Sequence, residues 1–331
     1  MVRRAHPHQA VGGGRRRRPR GSAPRAPAPR LKRAPDAPGD VQFPPIRALL
    51  DELGIRLSRH KDQHFLRNPR VTRAIAELAQ LTPEDAVLEV GAGLGNLSTE
   101  LARRAGNVVS VEMDQAFRPW HDRLRAHFPN LEVRHGDFLK LDLAAFAREF
   151  AGRPLVIAGN LPYQITAPRL FKCIDSGARF RRMVFMVQLE VAERMAAGPG
   201  TRQASALTCK LALLHNATLA LRVAPREFLP PPRVDSAVVV HAPRDDSPVR
   251  DEAHRERLFR VITGIFMSRR KSLSNGLLVS GLAPDRASGD AALQAAGIDP
   301  GRRAETLSLD EVVALEAALF ASEAESDHSR R

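Results

Sequence analysis

Val87-Leu88-Glu89-Val90-Gly91-Ala92-Gly93-Leu94-Gly95 is the stretch of sequence that decides the fold of this chain. A short apolar run predicts a buried strand that ends at Val90, and helical periodicity begins after the third glycine. Glycine has no Cβ, so the backbone can turn tightly at these positions and approach a ligand closely. A Gly-x-Gly-x-Gly loop between a strand and a helix fits NAD, FAD or S-adenosylmethionine, and by itself it does not choose between them.

Strand and helix patterns alternate along the chain around this loop. Strands that alternate with helices form parallel sheets covered on both faces, so we predict an α/β fold with a Rossmann-like sheet. Residues 208–214, 218–223 and 236–241 continue the series as strands or helix. The predicted strands cover residues 86–90, 108–112, 131–135, 155–158 and 183–188, and the predicted helices cover residues 97–104, 116–127 and segments that begin after Asn68-Pro69 and near Ala167.

The pattern becomes purely helical after residue 243. Leu258, Ile262 and Ile265 lie on one helical stripe, and residues 291–296 and 309–320 form two more. We therefore predict four segments, which are a disordered basic tail at 1–43, an α/β catalytic domain at 44–243, a small all-helical domain at 244–320 and a loose tail at 321–331.

Most of the positive charge of the chain lies in its N-terminal tail. The 331 residues carry a net charge of +14, and residues 1–43 hold eleven Lys or Arg against two acids. A basic balance suits a polyanionic partner such as RNA, because neutralising phosphates releases counterions. The tail could equally be a solubilising segment without specificity, and an organelle transit peptide is a further alternative.

The composition excludes several classes of protein. The longest apolar runs, at 155–158 and 237–240, are far shorter than the roughly 18 residues of a membrane span. We find no signal peptide, so we expect a cytoplasmic protein without a membrane partner. Cys173 and Cys209 have no CxxC or Cys/His partner, and we expect both to be buried and reduced, with no metal. No pattern indicates a stable oligomer, so we expect a monomer.

Two acidic residues follow the next strands and narrow the choice of ligand for the glycine loop. Glu112 ends the second predicted strand, where a carboxylate can accept both ribose hydroxyls of an adenosine-bearing cofactor. Asp137, in Gly136-Asp137-Phe138, follows the third strand, where its carboxylate could accept a hydrogen bond from an adenine amino group.

The fourth strand leads into Asn160-Leu161-Pro162-Tyr163. One chemistry that this tetrapeptide fits is methyl transfer to the exocyclic amine of adenine. The lone pair of that amine is delocalised into the ring, so a site must align it with the methyl donor. An Asn side-chain oxygen and a backbone carbonyl beside a proline can accept the two amine N–H groups. Tyr163, the only tyrosine, offers a stacking face worth about 1–3 kcal/mol. The plain alternative is a turn with a satisfied Asn and a packed Tyr.

With these motifs the sequence resembles the ribosomal RNA adenine N6,N6-dimethyltransferases, over residues 59–320. Gln63-His64-Phe65-Leu66 is similar to an N-terminal motif of that family. The resemblance implies a Rossmann-like methyltransferase fold, S-adenosylmethionine as cofactor, and a target-base clamp formed by Asn160, Leu161, Pro162 and Tyr163. It also implies a set of cofactor contacts, namely His64, Leu66, Gly91, Gly93, Glu112, Asp137 and Asn160.

The segment from Phe228 to Ser236 resembles a Pro-rich motif of the same family. The resemblance implies that the ring of Phe228 lies on the opposite face of a flipped adenine, so that Tyr163 and Phe228 would sandwich the base. The prolines also suit a rigid connection between strands, and the two interpretations are compatible.

Two C-terminal motifs, at 266–275 and 297–305, resemble the small-subunit branch of the family. That branch implies dimethylation of two adjacent adenosines in the 3′-terminal hairpin of small-subunit rRNA, with the small ribosomal subunit precursor as partner. Arg269, Arg270 and Lys271 would then bind RNA phosphates, although a solvated helix face is the alternative. Asp62 directly precedes the N-terminal motif and departs from the family pattern. An acid at this position would affect the affinity for an RNA substrate.

Other functions remain open at the level of sequence. A large-subunit rRNA methylase that confers macrolide resistance would share the same catalytic motifs. A non-catalytic RNA-binding protein could retain the fold, although the intact Asn160 tetrapeptide argues against it. The sequence argues against a dinucleotide oxidoreductase, because no catalytic dyad follows the first half of the fold.

Overall fold

The computed structural model describes residues 43–56, 63–161, 166–176, 178–268 and 270–321. Its central feature is a seven-stranded sheet with the strand order β4-β3-β2-β5-β6-β9-β7. These strands are β2 (Ala86–Val90), β3 (Asn107–Glu112), β4 (Leu131–His135), β5 (Leu155–Asn160), β6 (Phe180–Gln188), β7 (His215–Val223) and β9 (Ser236–Pro243), and a separate antiparallel pair consists of β1 (Phe65–Leu66) and β8 (Phe228–Leu229).

Strands β2 to β6 are parallel to one another, as predicted, whereas the edge of the sheet formed by β9 and β7 is antiparallel. Strand β9 pairs antiparallel with β6 and with β7. The chain passes from β7 to β9 through residues 224–235, which contain a short helical turn and β8 but no crossover helix. Antiparallel neighbours can be joined without a crossover, whereas parallel neighbours need one. Residues 208–214, left open between strand and helix, lie in the helix α8 (Ala206–Leu214).

Helices cover both faces of the sheet, so the predicted α/β layering is confirmed. Alternate residues of one strand serve the two faces, since Val87 lies in one core cluster and Leu88 in the other. The first face is covered by α1 (Ile46–Glu52), α2 (Pro69–Leu78), α3 (Asn96–Ala102) and α4 (Arg118–His127), and the second by α5 (Leu143–Glu149), α6 (Thr166–Asp175), α7 (Leu189–Ala197) and part of α8.

The region after residue 251 contains four α-helices around a third core, which agrees with its predicted helical character. Helix α8 also contributes Cys209 and Leu213 to this core. Cys173 and Cys209 are both buried and free, as expected. In the described part of the chain no helix has the length and apolarity to cross a bilayer. The C-terminal helices are α9 (Glu252–Met267), α10 (Leu273–Val279), α11 (Arg286–Ala295) and α12 (Leu309–Leu319).

A buried carboxylate ties α12 to α9. Glu316 is 2% exposed and accepts a hydrogen bond from Nε of Arg257. Its second oxygen lies 3.3 Å from Nε2 of His254. Burial lowers the pKa of His254, and its Nδ1 accepts the N–H of Arg250 at 3.2 Å, so the ring proton is on Nε2, the nitrogen nearer to Glu316. The carboxylate therefore contacts two side chains of one helix, through a hydrogen bond to Arg257 and through its proximity to His254.

We expect Glu316→Ala to lower the free energy of unfolding by about 3 kcal/mol, because removing one partner leaves a buried polar network unpaired. Urea unfolding at pH 7 measures this change. Glu256→Ala, at an exposed position of α9, is the matched control, and its effect should stay within about 0.5 kcal/mol. Equal losses in the two variants would show that the buried network contributes nothing specific.

Candidate active site

The carboxyl ends of four neighbouring strands meet at one edge of the sheet. Strands β2, β3 and β5 are parallel neighbours, and β4 follows β3, so their last residues lie side by side. The N–H of Gly91 donates to the carbonyl of Val111 at 2.9 Å, and the carbonyl of Asn160 lies 3.8 Å from where a Cβ on Gly91 would stand. The structure thus brings together the predicted residues Gly91, Gly93, Glu112, Asp137 and Asn160 at this edge.

The glycine loop requires glycine for reasons of backbone and of space. Gly93 and Gly95 have φ values of +53° and +79°, a left-handed region that other residues rarely adopt. A Cβ on Gly95 would stand 2.3 Å from Cδ1 of Leu124, and one on Gly93 would stand 3.5 Å from the ring of Phe65. The loop is therefore packed closely on its protein side while it turns from β2 into α3.

Glu112 organises the backbone around this loop. Its side chain is 9% exposed, Oε2 accepts the N–H of Gly93 at 2.8 Å, and Oε1 accepts the N–H of Asp114 at 2.8 Å. Burial raises the pKa of Glu112, and these N–H donors oppose that effect. Each carboxylate oxygen has a second lone pair, so the group can also accept hydroxyl donors from a ligand.

Asp137 lies at the start of the turn that follows β4. Its Oδ1 accepts the N–H of Leu139 at 2.9 Å and caps the short helix Phe138–Lys140. Met113 follows Glu112 in the sequence, and its side chain is 63% exposed. An exposed apolar residue directly after an acid at this edge suits a ligand with a flat ring and donor groups, and the sequence patterns did not indicate Met113.

Asn160 is the last residue of β5, and a hydrogen bond fixes its amide. Nδ2 donates to the carbonyl of His64 at 3.1 Å, and this bond assigns the amide so that Oδ1 is the acceptor. The N–H of Leu161 donates to the carbonyl of Met186 at 3.0 Å, and the side chain of Leu161 is buried, so only its backbone can contribute to a clamp. Pro162 and Tyr163, the other two predicted clamp residues, lie outside the described residues.

The two family-like motifs meet beside the glycine loop. In the pairing of β1 with β8, Phe65 faces Leu229 and Leu66 faces Phe228. His64 donates from Nδ1 to the carbonyl of Pro230 at 2.8 Å. Asn96, at the start of α3, donates to the carbonyl of Leu66 at 3.1 Å. His64 and Leu66 are therefore held next to the loop, and their role toward a cofactor stays a prediction.

Phe228 differs from its sequence prediction. We expected its ring to cover one face of an adenine, but the side chain is 1% exposed and belongs to the core of the first face. The short pairing of β8 with β1 opposes Phe228 to Leu66 and turns its ring into that core. In this conformation Phe228 has no open face for a base, and its contribution is to support Leu66.

Two of the three predicted RNA-binding residues, Arg270 and Lys271, lie between α9 and α10 and not within a helix. Helix α9 ends at Met267, and the N–H of Lys271 donates to the carbonyl of Ser268 at 2.7 Å. The alternative of a solvated helix face therefore does not describe Arg270 and Lys271, because this turn separates α9 from α10. Arg270 and Lys271 are exposed there, and Arg269 lies outside the described residues.

A family model described as ribosomal RNA adenine dimethylase matches residues 56–319. The chain belongs to the ribosomal RNA adenine dimethylase family. It is 39% identical over 270 residues to the ribosomal RNA small subunit methyltransferase A of Geobacter metallireducens, which covers 81% of this chain and 97% of that protein. It is 41% identical to the protein of the same name from Anaeromyxobacter dehalogenans, over 84% of this chain and 99% of that protein. A dimethylase of this family is an enzyme that transfers methyl groups.

Two solved structures share the fold and are more than 25% identical in sequence to this chain. A dimethyladenosine transferase from Plasmodium falciparum superposes with a TM-score of 0.63 and 26% identity, over 79% of this chain and 98% of that chain. The 23S rRNA methyltransferase ErmE superposes with a TM-score of 0.59 and 29% identity, over 77% of this chain and 99% of that chain. These likenesses confirm the Rossmann-like methyltransferase fold.

The dimethylase fold here holds its glycine loop with residues that sequence reasoning did not identify. Trp120, the only tryptophan, donates from Nε1 to the carbonyl of Leu94 at 2.8 Å, and His121 donates from Nε2 to the carbonyl of Gly93 at 2.8 Å. Burial lowers the pKa of His121 to about 4, so the ring is neutral and its Nδ1 accepts from Nε2 of His135 at 3.2 Å. Helix α4 thus fixes two successive carbonyls of the loop.

Glu89, within the loop motif, is another residue whose role the sequence patterns did not indicate. It is fully buried, and the hydroxyls of Ser98 and Ser110 both donate to its Oε2. Burial raises the pKa of Glu89 to about 8. Within the described residues no group of three His, Cys, Asp or Glu is arranged to hold a metal ion.

We expect His121→Leu to accelerate amide hydrogen exchange in residues 91–95 by about 3- to 10-fold, because one hydrogen bond to the loop is lost. Exchange followed by mass spectrometry measures this. His121→Gln, whose amide can reach the same carbonyl, should restore most of the protection. His127→Leu changes an exposed ring of the same helix and is the control. A Leu variant with wild-type exchange, or a Gln variant no better than Leu, would contradict the role given to His121.

Proposed function

We propose that this dimethylase uses S-adenosylmethionine to methylate N6 of two adjacent adenosines in the 3′-terminal hairpin of small-subunit rRNA, within a precursor of the small ribosomal subunit. The observation that carries the proposal is the convergence of Glu112, Asp137 and Asn160 around the glycine loop. This set offers acceptors for a nucleoside ligand and an acceptor for an amine, without a group that could act as a strong base.

The residues at the sheet edge fit S-adenosylmethionine, which when bound supplies an electrophilic methyl group. Glu112 would accept the ribose hydroxyls, since its oxygens are already oriented by the N–H groups of Gly93 and Asp114. Asp137 would accept the adenine amine. Gly91 and Gly93 leave backbone surface open toward the rest of the cofactor, and His64 and Leu66 would close the pocket with their backbones.

Asn160 would align the target amine with the methyl donor. Its Nδ2 is engaged by His64, so Oδ1 can accept one N–H of the adenine amine and direct the nitrogen lone pair toward the cofactor. The amine becomes acidic after it has been methylated, so its proton can leave to water. The contribution of the protein is therefore alignment of two reactants, with stacking by Tyr163 as a further part of the proposal.

The choice of the small-subunit target rests on the relatives and on the C-terminal region. The two relatives at 39% and 41% identity are named for the small subunit and are matched over 97% and 99% of their lengths, so the match extends through the C-terminal helices. Arg270 and Lys271 are exposed in the turn before α10, where they could neutralise RNA phosphates. The likeness to ErmE makes methylation of large-subunit rRNA the second candidate.

Labelled S-adenosylmethionine, incubated with the protein and with unmethylated small and large subunits separately, tests the target. We expect dimethyladenosine in the small-subunit hairpin, mapped by nuclease digestion and mass spectrometry. Label in the large subunit would establish the second candidate and leave the mechanism intact. No label in either subunit would overturn the proposed activity.

We expect Asn160→Ala to reduce kcat by at least about 100-fold at saturating cofactor, because the acceptor that aligns the amine is lost. Single-turnover transfer to the small subunit measures the rate. The emission of Trp120, which is bonded to the loop, provides an independent titration of cofactor binding and should show that the variant still binds. A variant with normal transfer would exclude this mechanism, and Asn160→Asp, which keeps an acceptor, should retain more activity than Ala.

A further inference from the structure

Arg169 on α6 is a buried cation with unused donors. Its side chain is 8% exposed, and none of the described residues accepts a hydrogen bond from Nε or Nη1. Arginine is seldom buried without a partner, because desolvating a guanidinium is costly. Burial lowers the pKa of Arg169, and the charges of Asp137 and Glu112 oppose that effect. A buried group of this kind is a candidate for a ligand contact.

The position of Arg169 connects it to the cofactor side of the site. Helix α6 packs against the short helix Phe138–Lys140, which Asp137 caps, and Leu170 shares a core cluster with Phe138. The buried face of α6 is otherwise formed by Thr166, Leu170, Cys173 and Ile174. Arg169 is therefore the one charged residue on this face, and its guanidinium interacts electrostatically with Asp137 and Glu112, the two carboxylates proposed to hold the cofactor.

The charges around Arg169 determine which class of ligand it can bind. Two carboxylates, Asp137 and Glu112, interact with one guanidinium, so the region disfavours a phosphate group. A neutral ring that offers acceptor nitrogens and an amine donor fits better. Adenine presents an amine beside ring-nitrogen acceptors, whereas hypoxanthine carries an oxygen acceptor and a ring N–H in their place. A carboxylate and a guanidinium next to each other therefore match adenine.

We propose that Arg169 donates its unused N–H groups to a ring nitrogen of the cofactor's adenine, so that Asp137 and Arg169 together select an adenine-bearing cofactor. This inference rests on the proposed use of S-adenosylmethionine and adds a specificity residue to it. Among the described residues Nε and Nη1 of Arg169 have no acceptor, and the cofactor would complete their hydrogen bonds.

Binding to the protein without RNA tests the proposal. The probes are S-adenosylhomocysteine and S-inosylhomocysteine, which differ only at the base, and calorimetry gives their Kd values. The variant Arg169→Met removes the charge and donors while keeping an unbranched side chain. We expect it to weaken S-adenosylhomocysteine about 10- to 100-fold and to shrink the preference for adenine over hypoxanthine at least tenfold. Lys172→Met removes a positive charge from the same helix and should change neither value more than about twofold.

A second readout separates a ligand contact from a structural role. Because Arg169→Met removes an unpartnered buried charge, the Tm of the free variant should equal or exceed that of the wild type, while the rise in Tm on adding S-adenosylhomocysteine should be smaller. Unchanged Kd values in the variant would overturn the role of Arg169 and leave the proposed function standing. A wild-type protein that binds neither probe would overturn both.

Discussion

The candidate site depends on how the protein fixes both peptides that flank Gly93. Its N–H is held by the carboxylate of Glu112, and its carbonyl is held by His121. Gly93 has a φ of +53° and no side chain that could restrain its backbone. These two hydrogen bonds therefore remove the conformational freedom that glycine brings. Glu112 ends β3 and His121 belongs to α4, so the loop takes its shape from the next strand and helix of the fold.

The same edge of the sheet concentrates ionisable groups that are costly to bury. Glu89 and Glu112 both have a raised pKa through burial, and Arg169 has a lowered one. Serine hydroxyls and backbone N–H groups compensate the two acids in part, whereas two donors of the guanidinium have no acceptor within the described residues. Buried charges of this kind lower the stability of the protein, but they leave polar groups already positioned for a ligand. We regard this uneven compensation as the clearest physical sign of where the ligand binds.

The sequence was most informative where a local pattern has one interpretation. Strand β2 has the predicted bounds because its apolar run ends at glycines that must turn. The direction of β9 could not be predicted, since a strand buried on both faces has the same pattern in either direction. Phe228 was misplaced because its motif indicates proximity to the site and not which way the ring points. The roles of His121 and Arg169 depend on partners distant in sequence, and on a helix either residue alone is typical of a solvated face.

The helical region is attached to the catalytic part by specific bonds as well as by a shared core. Arg255 of α9 donates to the carbonyl of Ile174 on α6, at 2.8 Å, and Ser247 donates to the carbonyl of Leu213 on α8, at 2.7 Å. Helix α9 therefore links the turn with Arg270 and Lys271 to the helix that carries Arg169. Under the proposed function, a reaction that depends on alignment would gain from such a link, because RNA bound at the far end of α9 would be held relative to the cofactor. The basic turn would then serve the geometry of transfer as well as affinity for RNA.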